Sequence, residues 1–205
     1  LPLFFYRRHF KNLTNNNIKI LTARRTINKD IVKQKIPDYS PIIAVIPCRK
    51  HFDFINNLWN EKLLNKTLLE RDIETCLKSE LVDKVVVTCD SDVVIKTLNK
   101  FNSKKLIFHL RDEKSTIRSI SILPTLKKIV GKLDQNFNGI TVLRYLQTPF
   151  VSTAILDEAI SSLIINNSDT AFGVELIEEA VYKRSQFGLE LLSNKLANWI
   201  LSMSK

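Results

Sequence analysis

Apolar residues occur along this chain in short runs that polar loops separate. The first run, residues 42–46, ends at Pro47, and the second, residues 85–88, ends at Cys89. Short β-branched runs without polar alternation are typical of strands buried on both faces, as in a parallel sheet covered by helices. The same pattern predicts further strands over residues 106–110, 140–146 and 169–174.

Between these runs the apolar residues recur at helical spacing. Ser91 and Thr153 precede two such segments and are expected to cap helices. Pro124 falls inside a third segment and is expected to kink or split it, because proline removes a backbone donor. The predicted helices cover residues 66–77, 94–101, 117–123 onward, 156–164 and 192–203.

The predicted order is therefore β-α-β-α-β-α-β-α-β with a terminal helix. Consecutive βαβ units require right-handed crossovers and place the strands in a mostly parallel sheet with helices on its faces. The sequence thus predicts an α/β, three-layer, doubly wound domain over residues 41–205. Residues 1–40 are expected to form a basic, poorly ordered N-terminal extension.

The charge distribution limits the classes of partner. The net charge is +10, but nine Lys or Arg against two Asp in residues 1–40 leave +7 there and +3 elsewhere. A nucleic-acid groove in the main domain is therefore poorly supported. The basic segment is open to three interpretations: an organelle-targeting leader, a nucleic-acid-binding arm, or a piece of upstream sequence. The chain opens at Leu1, which favours the last and predicts a fragment.

Composition and cysteine usage indicate a soluble, cytoplasmic type of protein. Hydrophobic residues make up 44% of the 205 residues and charged residues 25%, which is ordinary for a globular domain. No apolar run approaches the ~20 residues of a membrane span. The three cysteines have no metal-ligand or CxxC spacing, so reduced thiols are expected. These are Cys48, Cys76 and Cys89.

Charged side chains follow the first two predicted strands. Arg49 and Lys50 come after the first strand, and Asp90 comes after the second. In α/β sheets ligands gather at the carboxyl ends of parallel strands, so these three side chains are expected to face one crevice. Two cations opposite a carboxylate suit a phosphate-bearing substrate and its metal.

Four segments resemble, in order, motifs of one family. Residues 41–49 resemble the opening strand and arginine of the CMP-N-acylneuraminate synthetases, the cytidylyltransferases that activate sialic acids and related acidic sugars. Residues 65–74 look like that family's Gly-Lys-Pro-Leu-Ile segment, and residues 85–92 its Val-Val-Val-Ser-Thr-Asp strand. Residues 146–150 are similar to a shortened form of its Leu-Gln-Pro-Thr-Ser-Pro loop. The likeness covers about residues 41–178.

The resemblance implies a Rossmann-like fold of the nucleotide-diphospho-sugar transferase type and a nucleotidyl transfer. The anomeric hydroxyl of the sugar would attack the α-phosphate of CTP, and pyrophosphate would leave. Such a displacement asks the protein mainly to align the reacting oxygens and to neutralise phosphate charge. The resemblance also implies Mg²⁺ as cofactor and a homodimer, with no membrane partner.

The resemblance assigns roles to individual residues. Arg49 and Lys50 would be the catalytic cations, and the acidic sugar would lie by Gln147 and Thr148. Asp90 is the candidate metal ligand, and the sequence indicates no other. The residues implied for nucleotide binding are Arg49, Asp90, Ser115 and Thr116.

The chain also departs from the family's pattern. Family members follow the arginine with a Gly-Gly-Ser-Lys-Gly-Ile-Pro loop, whose glycines let backbone amides close around phosphates. Residues 51–60 contain no glycine, and Asp53 stands at the position of the loop lysine. The chain stops before the family's late segment of metal-binding carboxylates. Two hypotheses follow: an active, truncated cytidylyltransferase, or an inactive relative that serves as a binding or assembly module.

Overall fold

The computed structural model describes residues 29–52, 55–117, 119–174 and 182–191. The chain divides into two compact units, residues 1–171 and 172–205. In the first unit the helices and strands are α1 (residues 29–35), β1 (Ile43–Pro47), β2 (Lys62–Leu63), β3 (Lys66–Thr67), α2 (Leu68–Leu77), β4 (Lys84–Cys89), α3 (Ile95–Leu98), β5 (Leu106–Leu110), α4 (Leu123–Leu133), β6 (Thr141–Leu143) and α5 (Thr153–Asn166).

A four-stranded parallel sheet forms the centre of the first unit. Its strand order is β5-β4-β1-β6, and in the register Val45 lies opposite both Val86 and Leu143. The chain therefore runs outward from β1 through β4 to β5, and then returns to place β6 on the other side of β1. Such a reversal of strand order creates a crevice at the carboxyl ends of the two strands that flank it, β1 and β6.

The two inner strands, β1 and β4, are buried on both faces of the sheet, which explains why they read as nearly continuous apolar runs. Ala44 and Ile46 belong to one buried cluster, together with residues of α2, α3 and α5. Ile43 and Val45 belong to a second cluster, together with residues of α4. Burying one such side chain contributes about 1.5–3 kcal/mol. The predicted α/β class, with a parallel sheet between helices, is confirmed.

Local sequence signals determine where the central helix α2 begins. Thr67 is its N-cap and forms a capping box with Glu70, in which each side chain accepts from the other residue's backbone N–H. Two donors that the helix start would leave unpaired are thereby satisfied. The buried face of α2 carries Leu69, Ile73 and Cys76, as predicted, and also Asp72.

Several predictions about individual elements are wrong. The helix expected over residues 117–123 onward begins only at Leu123, as α4. Residues 169–174 form no strand. All six are exposed, so no helix or sheet of the described chain packs over them. Pro124 does not kink a helix, because it lies in the first turn of α4, where its missing N–H is not needed. The N-cap of α5 is Ser152, whose Oγ accepts from the Ile155 amide, and Thr153 is the first residue of that helix.

The described part of the predicted N-terminal extension packs on the sheet. Val32 in α1 is 1% exposed and belongs to the larger buried cluster. Residues 36–39 continue from α1 as a 3₁₀ turn. Residues 1–28 lie outside the described residues, so the expectation for them stays a prediction.

The second unit is described over residues 172–174 and 182–191. Its strands β7 (Tyr182–Ser185) and β8 (Gly188–Leu191) pair as an antiparallel hairpin. The helix predicted over residues 192–203 lies outside the described residues. In the part of the chain that the structure describes, no helix has the length and apolar character needed to cross a membrane.

Candidate active site

A cleft of about 180 Å³ lies at the carboxyl ends of β1 and β6. This is the place where the reversal of strand order opens a crevice in α/β sheets. Arginines and uncharged polar groups line one part of the cleft, and apolar side chains line the rest. The lining residues are Pro47, Cys48, Arg49, Phe52, Leu58, Arg111, Thr116, Ile117, Ile120, Ile122, Tyr145, Leu146 and Gln147.

Arg49 lies in the cleft directly after β1. Its Nη1 donates a hydrogen bond to the carbonyl oxygen of Thr116 at 3.2 Å. Its guanidinium carbon lies 4.3 Å from the centre of the Phe52 ring, a cation–π distance. The guanidinium is therefore held from two sides, and the predicted position of Arg49 at the strand-end crevice agrees with the structure.

Arg111 is a second cation in the cleft, and the sequence analysis did not single it out. It follows β5 directly and is 9% exposed. Its Nε donates to the Ser115 hydroxyl at 3.3 Å, and its Nη2 donates to the Ser115 carbonyl. Burial lowers the pKa of Arg111. The nearby negative charge of Asp90 raises this pKa, and the positive charge of Arg49 lowers it further. The rule that selected Arg49 and Asp90, a charged residue directly after a parallel strand, could have found Arg111.

Asp90 connects the loops that follow three neighbouring strands. Its Oδ1 accepts from the Lys50 backbone amide at 2.7 Å, and its Oδ2 lies 3.3 Å from the Thr116 hydroxyl, which also contacts the Glu113 carbonyl at 2.6 Å. The carboxylate thus joins the end of β4 to the loops after β1 and β5. Asp90 does not line the cleft itself, but its charge lies near that of Arg111.

Lys50 and Ser115 do not line the cleft, where contacts with the substrate were expected. Lys50 is exposed and does not line the cleft, and its backbone amide is taken by Asp90. The Ser115 hydroxyl donates to the Asp112 carbonyl at 2.6 Å and accepts from Arg111. Ser115 therefore holds the loop after β5. The roles implied for these two residues stay predictions.

The loop after β6 places Gln147 in the cleft lining, whereas Thr148 bonds within the loop itself. Gln147 and Tyr145 line the cleft. The Thr148 backbone amide and hydroxyl both donate to the Tyr145 carbonyl, at 3.0 and 2.9 Å. Thr148 thus closes the turn that carries Gln147. Of the seven residues named from the sequence, the cleft brings together Arg49, Thr116 and Gln147.

The glycine-free loop after Arg49 folds back on itself. The Phe52 amide donates to the Ile55 carbonyl at 3.1 Å, and the Asn57 amide donates to the Lys50 carbonyl at 2.7 Å. The side chains of His51 and Asn56 form a hydrogen bond of 2.9 Å. The amides of residues 50, 52 and 57 are therefore satisfied by the protein itself and do not present donors to a phosphate. Asp53 lies outside the described residues.

The cysteines and His109 are packed groups. Burial raises the pKa of Cys48 well above its ordinary value and the pKa of Cys76 and Cys89 to about 12. All three are free thiols, so a thiolate nucleophile is not available near neutral pH. His109 shares a hydrogen bond of 3.1 Å with Thr88, and burial, with nearby lysines, lowers its pKa.

The described residues near the cleft contain no preformed cluster of metal ligands. No group of three or more His, Cys, Asp or Glu side chains that could hold a metal occurs among residues 29–52, 55–117, 119–174 and 182–191. Mg²⁺ is usually held by one or two carboxylates together with substrate phosphates, and Asp90 is the carboxylate next to the cleft arginines that would serve. The expected Mg²⁺ stays a prediction.

The fold and the cleft define a class of protein. A parallel sheet with a crevice at its point of strand reversal is an architecture that binds nucleotides. Two guanidinium groups in that crevice suit the oxygens of phosphate or carboxylate groups. Residues 57–195 match the sequence profile of the cytidylyltransferase family, which is more than half of the chain. The chain therefore belongs to the cytidylyltransferase family.

Solved structures with the same fold are distant in sequence. CMP:2-keto-3-deoxy-manno-octonic acid synthetase complexed with CTP has a TM-score of 0.51 at 17% identity, covering 62% of this chain and 49% of its own. 4-Diphosphocytidyl-2C-methyl-D-erythritol synthase from Anaerococcus prevotii DSM 20548 has a TM-score of 0.54 at 15% identity, covering 79% and 66%.

A further structure of 4-diphosphocytidyl-2C-methyl-D-erythritol synthase has a TM-score of 0.52 at 15% identity, covering 75% of this chain and 69% of its own. At these identities the likeness supports the fold. The chain spans about half to two thirds of the length of the first two structures. A search of curated protein sequences found no match.

Proposed function

We propose that this protein transfers CMP from CTP to an acidic, sialic acid-like sugar and releases pyrophosphate. The observation that carries the proposal is the pair of arginines, Arg49 and Arg111, in the cleft at the point of strand reversal of a cytidylyltransferase-family chain. One of the solved structures with this fold is a synthetase of another acidic sugar, complexed with CTP. The choice of sugar rests on the sequence motifs alone.

The transfer of CMP requires that phosphate charge be neutralised and that the attacking and leaving oxygens be aligned. The triphosphate of CTP carries negative charge that increases on the leaving pyrophosphate, and guanidinium groups bind such oxygens with two parallel hydrogen bonds. Arg49 and Arg111 would bind these oxygens. The amide of Gln147, on the β6 side of the cleft, would bind the sugar by donating to its carboxylate.

Turnover provides the test. The protein is incubated with CTP, Mg²⁺ and a panel of acidic sugars, and pyrophosphate release is measured beside a working control enzyme. We expect release with at least one acidic sugar and a rate lower by orders of magnitude for Arg49→Ala. A rate unchanged by Arg49→Ala would remove Arg49 from the site, and no release from any sugar would refute the proposal.

A second candidate is a binding or assembly module without catalytic activity. Two observations favour it: the Phe52 and Asn57 amides of the loop after β1 bond within that loop, and the cleft of about 180 Å³ is smaller than the ~300–1,000 Å³ of usual ligand sites. Calorimetric titration with CTP, with and without Mg²⁺, separates the two. Tight binding that requires Mg²⁺ would support the transferase and the expected cofactor, whereas absence of binding would support the module.

Two further properties belong to the proposal. A homodimer is expected from the resemblance to the sialic acid-activating enzymes, and light scattering of the full chain tests it. A cytoplasmic location agrees with three free, buried thiols. Localisation of a tagged full-length chain by microscopy would check the second property.

A further inference from the structure

A row of polar contacts joins α2 to the loop between β6 and α5. Asp72 on α2 contacts Arg144, which directly follows β6. The Thr75 carbonyl, about one turn further along α2, accepts from the Thr153 hydroxyl at 3.1 Å, at the first residue of α5. Residues 145–152, which carry Gln147, are therefore suspended between two anchors on the same helix.

Arg144 forms the first anchor and reaches two groups at once. Its Nη2 donates to Asp72 Oδ1 and also to the Thr148 carbonyl, the latter at 3.4 Å. Arg144 is 5% exposed and Asp72 is 1% exposed, so both charges lie in the interior. Burial raises the pKa of Asp72, and the charge of Arg144 opposes that rise. The guanidinium thus connects the buried face of α2 to the turn of residues 145–148.

The geometry of this ion pair favours a positioning task over simple charge pairing. An arginine and a carboxylate satisfy each other best through two parallel hydrogen bonds. In this pair, Arg144 Nε and Asp72 Oδ2 are buried and have no hydrogen-bond partner among the described residues. Arg144 and Asp72 therefore share one hydrogen bond instead of two, and Arg144 Nη2 also donates to the Thr148 carbonyl in the loop.

We propose that Arg144 is a positioning residue that, with Asp72 as its support, holds the loop of residues 145–151 so that Tyr145 and Gln147 face the cleft. Arg144 does not line the cleft itself and acts through the loop that it holds. The structural part of the inference stands alone, and its kinetic consequence rests on the proposed transferase function.

The variant that tests this is the double substitution Asp72→Leu with Arg144→Met. Replacing both members of a buried ion pair by apolar residues of similar size is often neutral for stability, whereas removing one member leaves an unpaired buried charge. The double variant therefore removes the loop anchor with the least disturbance of the fold. Asp157→Leu serves as the matched control, because it removes the Ser79–Asp157 contact between the end of α2 and α5, beyond the loop.

Amide hydrogen exchange of the full-length chain gives the structural readout. In the double variant, exchange of peptides covering residues 145–151 should be at least tenfold faster than in the unmodified chain, with β1 and β4 still protected. The Asp157→Leu control should leave the exchange of residues 145–151 unchanged. Unchanged exchange of this segment in a folded double variant would overturn the proposal.

Two additions keep the experiment decisive. If the double variant does not fold, Arg144→Lys keeps a charge beside Asp72 but shortens the reach to the Thr148 carbonyl, and the same faster exchange is expected.

If the unmodified chain shows turnover, the double variant should have a KM for the sugar at least tenfold higher and a KM for CTP within twofold. An unchanged sugar KM would count against positioning. Absence of turnover in the unmodified chain would refute the transferase, while the exchange result would still decide the inference.

Discussion

Replacing Arg111 by methionine tests whether the second arginine binds the nucleotide. Within the described part of the chain, Nε and Nη2 of Arg111 have protein acceptors, both on Ser115, and Nη1 has none. Because Arg111 lines the cleft, we expect a bound nucleotide to accept a hydrogen bond from Nη1. Methionine keeps much of the apolar stem and removes the charge.

The expected magnitude follows from the loss of one charged hydrogen bond. Such a bond contributes about 1.5–3 kcal/mol when its partner is charged, and each ~1.4 kcal/mol changes Kd tenfold. Arg111→Met should therefore weaken CTP binding roughly 10- to 100-fold. It should also lower stability by about 1–2 kcal/mol, because the Ser115 carbonyl loses its donor.

Calorimetric titration of the folded variants with CTP provides the assay, with thermal unfolding measured in parallel. The matched control is Arg71→Met, because Nε and Nη2 of Arg71 also donate to a single carbonyl, that of Leu63, and Arg71 does not line the cleft. We expect Arg71→Met to bind CTP within about twofold to threefold of the unmodified chain. If Arg111→Met binds CTP as tightly as the unmodified chain does, the two-arginine account of the cleft is wrong.

Three further predictions concern the stability of the fold. A Cβ on Gly139 would lie 2.0 Å from the carbonyl oxygen of Pro41, so Gly139→Ala should lower the free energy of unfolding by about 2 kcal/mol or more in urea titrations; an unchanged urea midpoint would contradict the packing at this site. Thr67→Ala removes the α2 cap and should cost about 1 kcal/mol, and unchanged stability would argue against the capping box. The hydrogen bond from Lys100 and that from the Thr67 amide lower the pKa of Glu70 from 4.5. Its contribution is therefore present above pH 4.5 and is lost as the pH falls through the lowered pKa. Glu70→Gln should be less stable at pH 7 and lose less stability on acidification than the unmodified chain, and parallel pH curves of the two would refute this.

The sheet was predictable because its signal is local. Strands β1, β4 and β5 of the central sheet are short, mostly apolar runs, as is typical of parallel strands with helices on both faces. The segment over residues 169–174 is less apolar, because it contains Asp169, Thr170 and Gly173, and it is exposed in the structure. A strand also needs partners that are distant in sequence, and the local pattern does not show whether they are present.

The candidate site was only partly predictable. Arg49 and Gln147 could be placed because each follows a strand that ends at the same edge of the sheet. The strand order was not visible in the sequence, and it decides that β1 and β6 are the strands that flank the crevice. Arg111 obeys the strand-end rule but was passed over, because its polar neighbours resemble an ordinary loop.

The amino-acid sequence by itself determined the four strands of the central sheet, the α/β class and the arginine at the end of the first strand, because periodicity and strand-end chemistry act between neighbouring residues. Only the tertiary structure decided that Arg144 meets Asp72 beneath the loop and that Asp90 joins three strand ends. These contacts join residues that are 72 and 40 positions apart, and no local pattern encodes which distant partner a charge will find.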